Sequence, residues 1–513
     1  GRIVKDHFPF RDLSDVPRNS RISVTFNEAF DPASVFVDNN SGVPNGIFGD
    51  CINTALPSFN WNTDCDRLNN TAIQVYELDA EGNNTGSPLD MVALSSDEGG
   101  KFYTIVLRPV LPLGNDRDSV GYSVDLTNNI LKETSGGMFA AARENHYKWV
   151  FQTGTEFDFA PPVVASVYPK AINSNDKFSR NTVLQINFNE PMDPTVTQGR
   201  AGSFSNIVAN NMETGAAAIT GAWRISNGYS TVEFVSDQQC GENSCGEPMY
   251  CLPITCAVAN CSEAHSALVR TAALISQSSW ETSPFSGVTD MSGNALDGDK
   301  DGVQDGKPTP IGGANILSNE SNSDNYLWDF EIENKIDRSA PYIKEITPGI
   351  DAEEIVADEL NSIKFSKPMW SWTLNGIEIT EKIQSPDVAD LWYKARGEMN
   401  PLDNTTLVKI SHRAFGPNGE DAYYFTSVSS TVKSLNQNCI YPGRGPYSII
   451  RGSAPICACT EDVNGVLTCG AGCVGVNNNA LTDTGCVQTT NAVDILKENL
   501  TDCLSTMDTL SIF

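Results

Sequence analysis

Carboxylates at alternate positions give the sharpest chemical signal in the chain: Asp297-Gly298-Asp299-Lys300-Asp301-Gly302-Val303-Gln304-Asp305. This spacing lets one short loop wrap a hard cation. Calcium, which takes six to eight oxygen ligands at about 2.3–2.6 Å, is the natural guest. Asp297, Asp299, Asp301 and Asp305 would supply carboxylate oxygens and Val303 a backbone carbonyl. An EF-hand has Glu at the twelfth position, where this chain has Pro308, and no helical pattern flanks the loop. The expectation is a stand-alone structural Ca2+ loop, weighed against a solvated acidic turn.

Two further acidic pairs, Glu28/Asp31 and Glu190/Asp193, have the residue types a glycosidase uses as acid and base. Each Asp precedes a proline, however, where a carboxylate caps its own backbone, and a doubled active site would be odd. His7, His146, His265 and His412 show no paired metal spacing, and the chain has neither a nucleophile elbow nor a phosphate loop. No catalytic residues are assigned, and the chain reads as a non-enzyme.

The 14 cysteines fall into clusters of two, five and seven. Cys51 and Cys65 are expected to pair. Cys240, Cys245, Cys251, Cys256 and Cys261 crowd one stretch; Cys439, Cys457, Cys459, Cys469, Cys473, Cys486 and Cys503 occupy the tail. Two odd clusters cannot both close internally. Either one bridge joins the second cluster to the third, or two cysteines reach neighbouring molecules, or two stay free. Zinc lacks nearby histidine and a regular four-ligand spacing. Disulfides imply an oxidising, extracellular location.

The elements that must position these residues read as strands. Ile22-Ser23-Val24-Thr25-Phe26, Thr231-Val232-Glu233-Phe234-Val235 and Leu407-Val408-Lys409-Ile410-Ser411 alternate with period two, amid 40 Gly and 27 Pro. One amphipathic helix is expected, over Asn491 to Leu504. The 34 basic and 64 acidic residues give a net charge of −30, which repels nucleic acid and anionic membranes. No apolar run is long enough to span a membrane.

A local recipe recurs. Arg18-Asn19-Ser20 leads to Phe26-Asn27-Glu28-Ala29-Phe30-Asp31-Pro32, and Arg180-Asn181-Thr182 leads to Phe188-Asn189-Glu190-Pro191-Met192-Asp193-Pro194; the asparagine-to-phenylalanine step is seven residues in both. A third, partial copy is Ile363-Lys364-Phe365-Ser366-Lys367-Pro368-Met369. Tyr147-Lys148-Trp149-Val150-Phe151 and Tyr326-Leu327-Trp328-Asp329-Phe330 close the first two copies, each placing three rings on one sheet face. Fresh starts follow at Ala160-Pro161-Pro162 and Ala340-Pro341. The expected domains are 1–156, 157–336, which carries a cysteine-rich insert and the acidic loop, and 337–513, which ends in a cysteine-rich tail.

With Pro161-Pro162-Val163 to Pro169, Phe188 to Pro194, Asp290-Met291-Ser292-Gly293-Asn294-Ala295-Leu296 and Tyr326 to Phe330, the second copy resembles the bacterial Ig-like domain family of surface-layer and cell-surface proteins. The first copy carries Ala29-Phe30 in place of Pro-Met and Thr127-Asn128-Asn129 in place of the Gly-Asn turn; the third has lost the turn acids, carrying Lys367 and Trp370. The resemblance implies an all-β chain of tandem immunoglobulin-like β-sandwiches with a disulfide-rich C-terminal extension. It also implies an extracellular structural subunit of a bacterial filament, pilus-like fibre or surface layer. Self-association into a homopolymer is the expected partnership, with strand addition by Gly1–Phe8 or Thr509–Phe513 as one route. The alternative is a cell-surface adhesin or ligand-binding stalk that contacts a glycan or surface protein.

Overall fold

The computed structural model describes residues 3–52, 59–97, 100–142, 144–171, 176–243, 245–258, 261–274, 282, 285–304, 324–349, 352–382, 393–416 and 423–440, together with the strand segments 459–461, 467–469, 473–475, 486–488 and 509–512. The chain is all-β with largely antiparallel sheets, and the helices among the described residues are one or two turns long. The helix expected over Asn491 to Leu504 lies outside the described residues. Two compact units emerge: residues 1–167, 186–234 and 264–330, and residues 168–185, 235–263 and 331–513.

In the first unit, strands Val4–Phe8, Ile22–Phe26, Phe102–Pro109, Met91–Asp97, Arg67–Leu68 and Phe36–Val37 form a six-stranded sheet in that order. Strands His146–Thr153, Val120–Thr127, Ile73–Leu78 and Asn84–Thr85 form a four-stranded one. Period-two alternation makes them a sandwich. Ile22, Val24 and Phe26 from one sheet and Ile73, Val75, Val124, Leu126, Trp149 and Phe151 from the other share one buried cluster. Each such side chain, fully buried, contributes roughly 1.5–3 kcal/mol. The opposite face of the larger sheet is also covered, with Val92, Leu94 and Val106 packed under Phe59, Trp61 and the Cys51–Cys65 bridge.

The same unit pairs Ile207–Asn211 with strand Ser262–Val269, from Ile207↔Val269 to Asn211↔His265. Ile186, Phe188, Trp223, Phe234, Trp328 and Phe330 are buried there. The aromatic triads do lie on one face: Tyr147–Trp149 ring centroids are 5.9 Å apart, and Tyr326–Trp328 and Trp328–Phe330 are 5.8 and 6.2 Å apart.

In the second unit, strands Ile343–Thr347, Asn361–Phe365, Thr405–His412 and Tyr393–Asn400 form one sheet, and Ile377–Lys382, Tyr423–Ser429 and Thr509–Ile512 another. Ile343, Ile363, Phe365, Val408 and Ile410 from the first meet Ile377, Ile379 and Val428 from the second. Both terminal strands are therefore paired within their own chain: Val4–Phe8 with Ile22–Phe26, and Thr509–Ile512 with Tyr423–Ser429.

Candidate functional site

The strand–turn recipe recurs three times in space. Strands Val4–Phe8, Val164–Tyr168 and Ile343–Thr347 each run into a proline, Pro9, Pro169 and Pro348. The carbonyls of Ala29, Pro191 and Pro368 accept from the amides of Glu133, Met291 and Leu435. Two residues on, the amides of Asp31, Asp193 and Trp370 donate to the carbonyls of Leu131, Thr289 and Lys433. The partner segments form matching turns: Lys132, Asp290 and Ser434 donate their amides to the carbonyls of Gly136, Asn294 and Asn438. In the first copy the counterpart of Asp290–Asn294 is thus Lys132–Gly136, and not Thr127–Asn129 as the sequence pattern suggested. In the third it is Ser434–Asn438, which carries no Gly-Asn signature.

The Arg-Asn step has a mechanical role. Asn19 donates through Nδ2 to the Asp158 carbonyl at 2.7 Å and accepts the Asp158 amide on Oδ1 at 2.9 Å. In the second unit Asn181 does the same to Asp337, at 2.8 and 2.9 Å. The side-chain amide mimics a strand partner for an otherwise unpaired stretch of chain. Each clasp is braced by a turn. Asn19 reaches the Ser292 carbonyl and Asn294 the Asp158 carbonyl; Asn181 reaches the Asn436 carbonyl and Asn438 the Asp337 carbonyl. Sequence reading found the repeated asparagine but not its partner. The missed signal was an aspartate recurring just before Ala160-Pro161 and Ala340-Pro341.

Around the first clasp, carboxylate oxygens of Asp158, Glu190 and Asp290 lie within 4.8 Å of one another. Asp290 is buried; its Oδ1 accepts the amides of Ser292 and Asn294 at 2.8 and 2.7 Å, and its Oδ2 accepts Asn294 Nδ2 at 2.8 Å. Burial and then the neighbouring Glu190 push the Asp290 carboxyl well up. Burial, then Asp158, pushes Glu190 up to about 7.

The turn acids flagged as carboxylate pairs have separate duties. Asp31 and Asp193 cap short helices by accepting from Ala33 N and Thr195 N. Asp193 is fully buried and also ion-paired to Arg21. Glu28 pairs with Lys132 at 2.6 Å.

In the acidic loop, carboxylate oxygens of Asp297, Asp299 and Asp301 come within 4.8 Å of one another. Two ligands of one calcium ion stand at most about 5 Å apart, so the set fits such an ion. Asp297 is buried and accepts the amides of Lys300 and Gly302 at 2.6 and 2.9 Å; Asp301 accepts that of Val303 at 2.8 Å. Lys300 and Gly302, at φ of 65° and 86°, supply the left-handed steps of the curl. A Cβ on Gly298 would stand 2.2 Å from the Asp324 carbonyl oxygen, so only glycine lets the loop pass there. Val303 is exposed, and Asp305 lies outside the described residues.

Among the described residues, four disulfides join Cys51–Cys65, Cys240–Cys251, Cys256–Cys261 and Cys245–Cys439. The last links the second cysteine cluster to the third, the first of the three alternatives that odd parity left open, and it spans 194 residues. These bridges are consistent with an extracellular protein. Cys459, Cys469, Cys473 and Cys486 fall on short strands; Cys457 and Cys503 lie outside the described residues. Among the described residues no helix is long and apolar enough to cross a membrane.

No histidine joins either acidic cluster. His7 stacks near Trp149, His265 on Phe330 and His412 on Phe415, and His146 faces Asp125 and Glu144. One cleft of about 90 Å³ is ringed by Arg18, Arg21, Arg108, Trp61 and Phe157. Small-molecule sites run to about 300–1,000 Å³, so this cleft admits only a small group. No protein-family model matches the chain, and no curated protein matches it.

Proposed function

We propose that this chain is a non-catalytic, extracellular structural subunit of a bacterial surface filament, pilus-like fibre or surface layer, built from tandem Ig-like sandwiches. The observation that carries the reading is the repeated clasp, in which Asn19 holds Asp158 and Asn181 holds Asp337 with the same bonds. Side chains that recur from copy to copy are committed to fixing the segments where one sandwich motif gives way to the next. An enzyme concentrates its polar groups in one cleft; a building unit repeats them along the chain. Disulfides and the Asp297–Asp301 loop, which we assign to calcium, add cross-links of the kind an exposed, load-bearing protein needs.

Assembly then proceeds through contacts between copies that leave the terminal strands in their own sheets, with heterologous contacts giving an open fibre and contacts in two directions a layer. An adhesin is the second reading, and the cleft of Arg18, Arg21, Arg108 and Trp61 is the feature that favours it. Negative-stain microscopy of the purified chain, with calcium and with a chelator, separates the two. Ordered polymers are expected with calcium; dispersed monomers at every concentration and calcium level would refute the structural role.

A further inference from the structure

We propose that Asp158, Glu190, Asp290 and Asn294 form a second divalent-cation site, of the calcium class, at the base of the first clasp and distinct from the Asp297 loop. Three observations lead there. First, three carboxylates converge on one point, and none has a Lys or Arg partner among the described residues.

Second, a wholly buried side chain in direct contact with them, Asn294, carries an unpartnered oxygen. The Asn294 amide rests on the cluster through Nδ2, 2.8 Å from Asp290 Oδ2 and 3.2 Å from the Asp158 carbonyl, while its Oδ1 has no hydrogen-bond partner. Amide geometry places that oxygen within about 5 Å of the Asp290 carboxylate. A buried amide oxygen left unpaired costs about 1–3 kcal/mol, a cost that a cation ligated there removes.

Third, the other two copies carry their own cation at this place. In the third copy the position of Glu190 is taken by Lys367, whose ammonium lies 2.8 Å from Asp337, the counterpart of Asp158. In the first copy the position of Asp290 is taken by Lys132, whose ammonium lies 2.6 Å from Glu28, the counterpart of Glu190. Where the neighbouring copies balance carboxylate with ammonium, the second copy has acids at all three positions. An exogenous ion completes the balance there. The donors are all oxygen, which suits calcium, and Asp290 is held for the role by three N–H donors.

The test uses the full chain carrying Asp299→Asn and Asp301→Asn, which disable the acidic loop, stripped with a chelator and titrated with calcium in a calorimeter. One ion per chain is expected, with a calcium-dependent rise in melting temperature. Adding Glu190→Lys, which copies the third repeat, is expected to abolish that binding and make the melting temperature independent of calcium without lowering it below the metal-free value. Glu190→Gln, which introduces no charge, is expected to weaken calcium at least tenfold and serves if the lysine variant misfolds. The proposal is overturned if the loop-disabled chain binds no calcium, or if either folded Glu190 variant binds it as tightly as the parent.

Discussion

Replacing Asn181 with alanine removes the second clasp while leaving the surrounding sheets untouched. In the native chain its side chain serves three backbone groups: the Asp337 amide at 2.9 Å, the Asp337 carbonyl at 2.8 Å and the Asn436 carbonyl at 2.7 Å. The Asp337 carbonyl keeps Asn438, but the Asp337 amide and Asn436 carbonyl lose the partner this side chain provided. Asn181 is fully buried, so water cannot step in without opening the site. Two orphaned groups at about 1–3 kcal/mol each give an expected loss of about 3 kcal/mol. At about 1.4 kcal/mol per decade, the Asp337 amide should lose roughly two decades of hydrogen-exchange protection. Amide exchange resolved by residue, with calorimetry of the whole chain, reads both. Asn181→Asp should be at least as damaging, because it turns a carboxylate toward two carbonyl oxygens. A loss under about 0.5 kcal/mol with unchanged protection at Asp337 would mean that the clasp does not hold the segment.

Other outcomes follow from the same geometry. Cys245→Ser with Cys439→Ser opens a 194-residue loop, and the second unit should lose about 2–5 kcal/mol, seen as a lower calorimetric transition with the remaining bridges intact. Gly298→Ala drives a methyl group into the Asp324 carbonyl oxygen and should weaken calcium binding at the Asp297 loop and destabilise it by about 1–3 kcal/mol, measurable by calcium titration. Burial raises the Asp66 carboxyl to about 6 against the opposing amides of Asn39 and Gly49. Because the folded form holds this proton more tightly than the unfolded chain, the Asp66 contribution to stability should rise as pH falls from 7.5 through 6 and level off below about 3.8; a carbon-detected titration of Asp66 near 4 would contradict this.

The sequence by itself determined the β class and the repeat. Period-two alternation is imposed by backbone geometry, so Ile22–Phe26 and Thr231–Val235 could be read without any partner. Local capping was legible for the same reason: Asp31 and Asp193 act on amides two residues away. Cysteine parity reduced the bridges to three alternatives, but the choice of Cys245 with Cys439 came from packing. Only tertiary structure could show that Asn19 meets Asp158 and Asn181 meets Asp337, since contacts across such separations leave no spacing rule. The charge exchange among Lys132, Glu190 and Lys367 was equally hidden. Each looks like an ordinary surface residue until the three turns are superposed in register, when an ammonium in two copies stands against three carboxylates in the other. Chain-local sterics wrote the strands; long-range packing decided which charges must share a site.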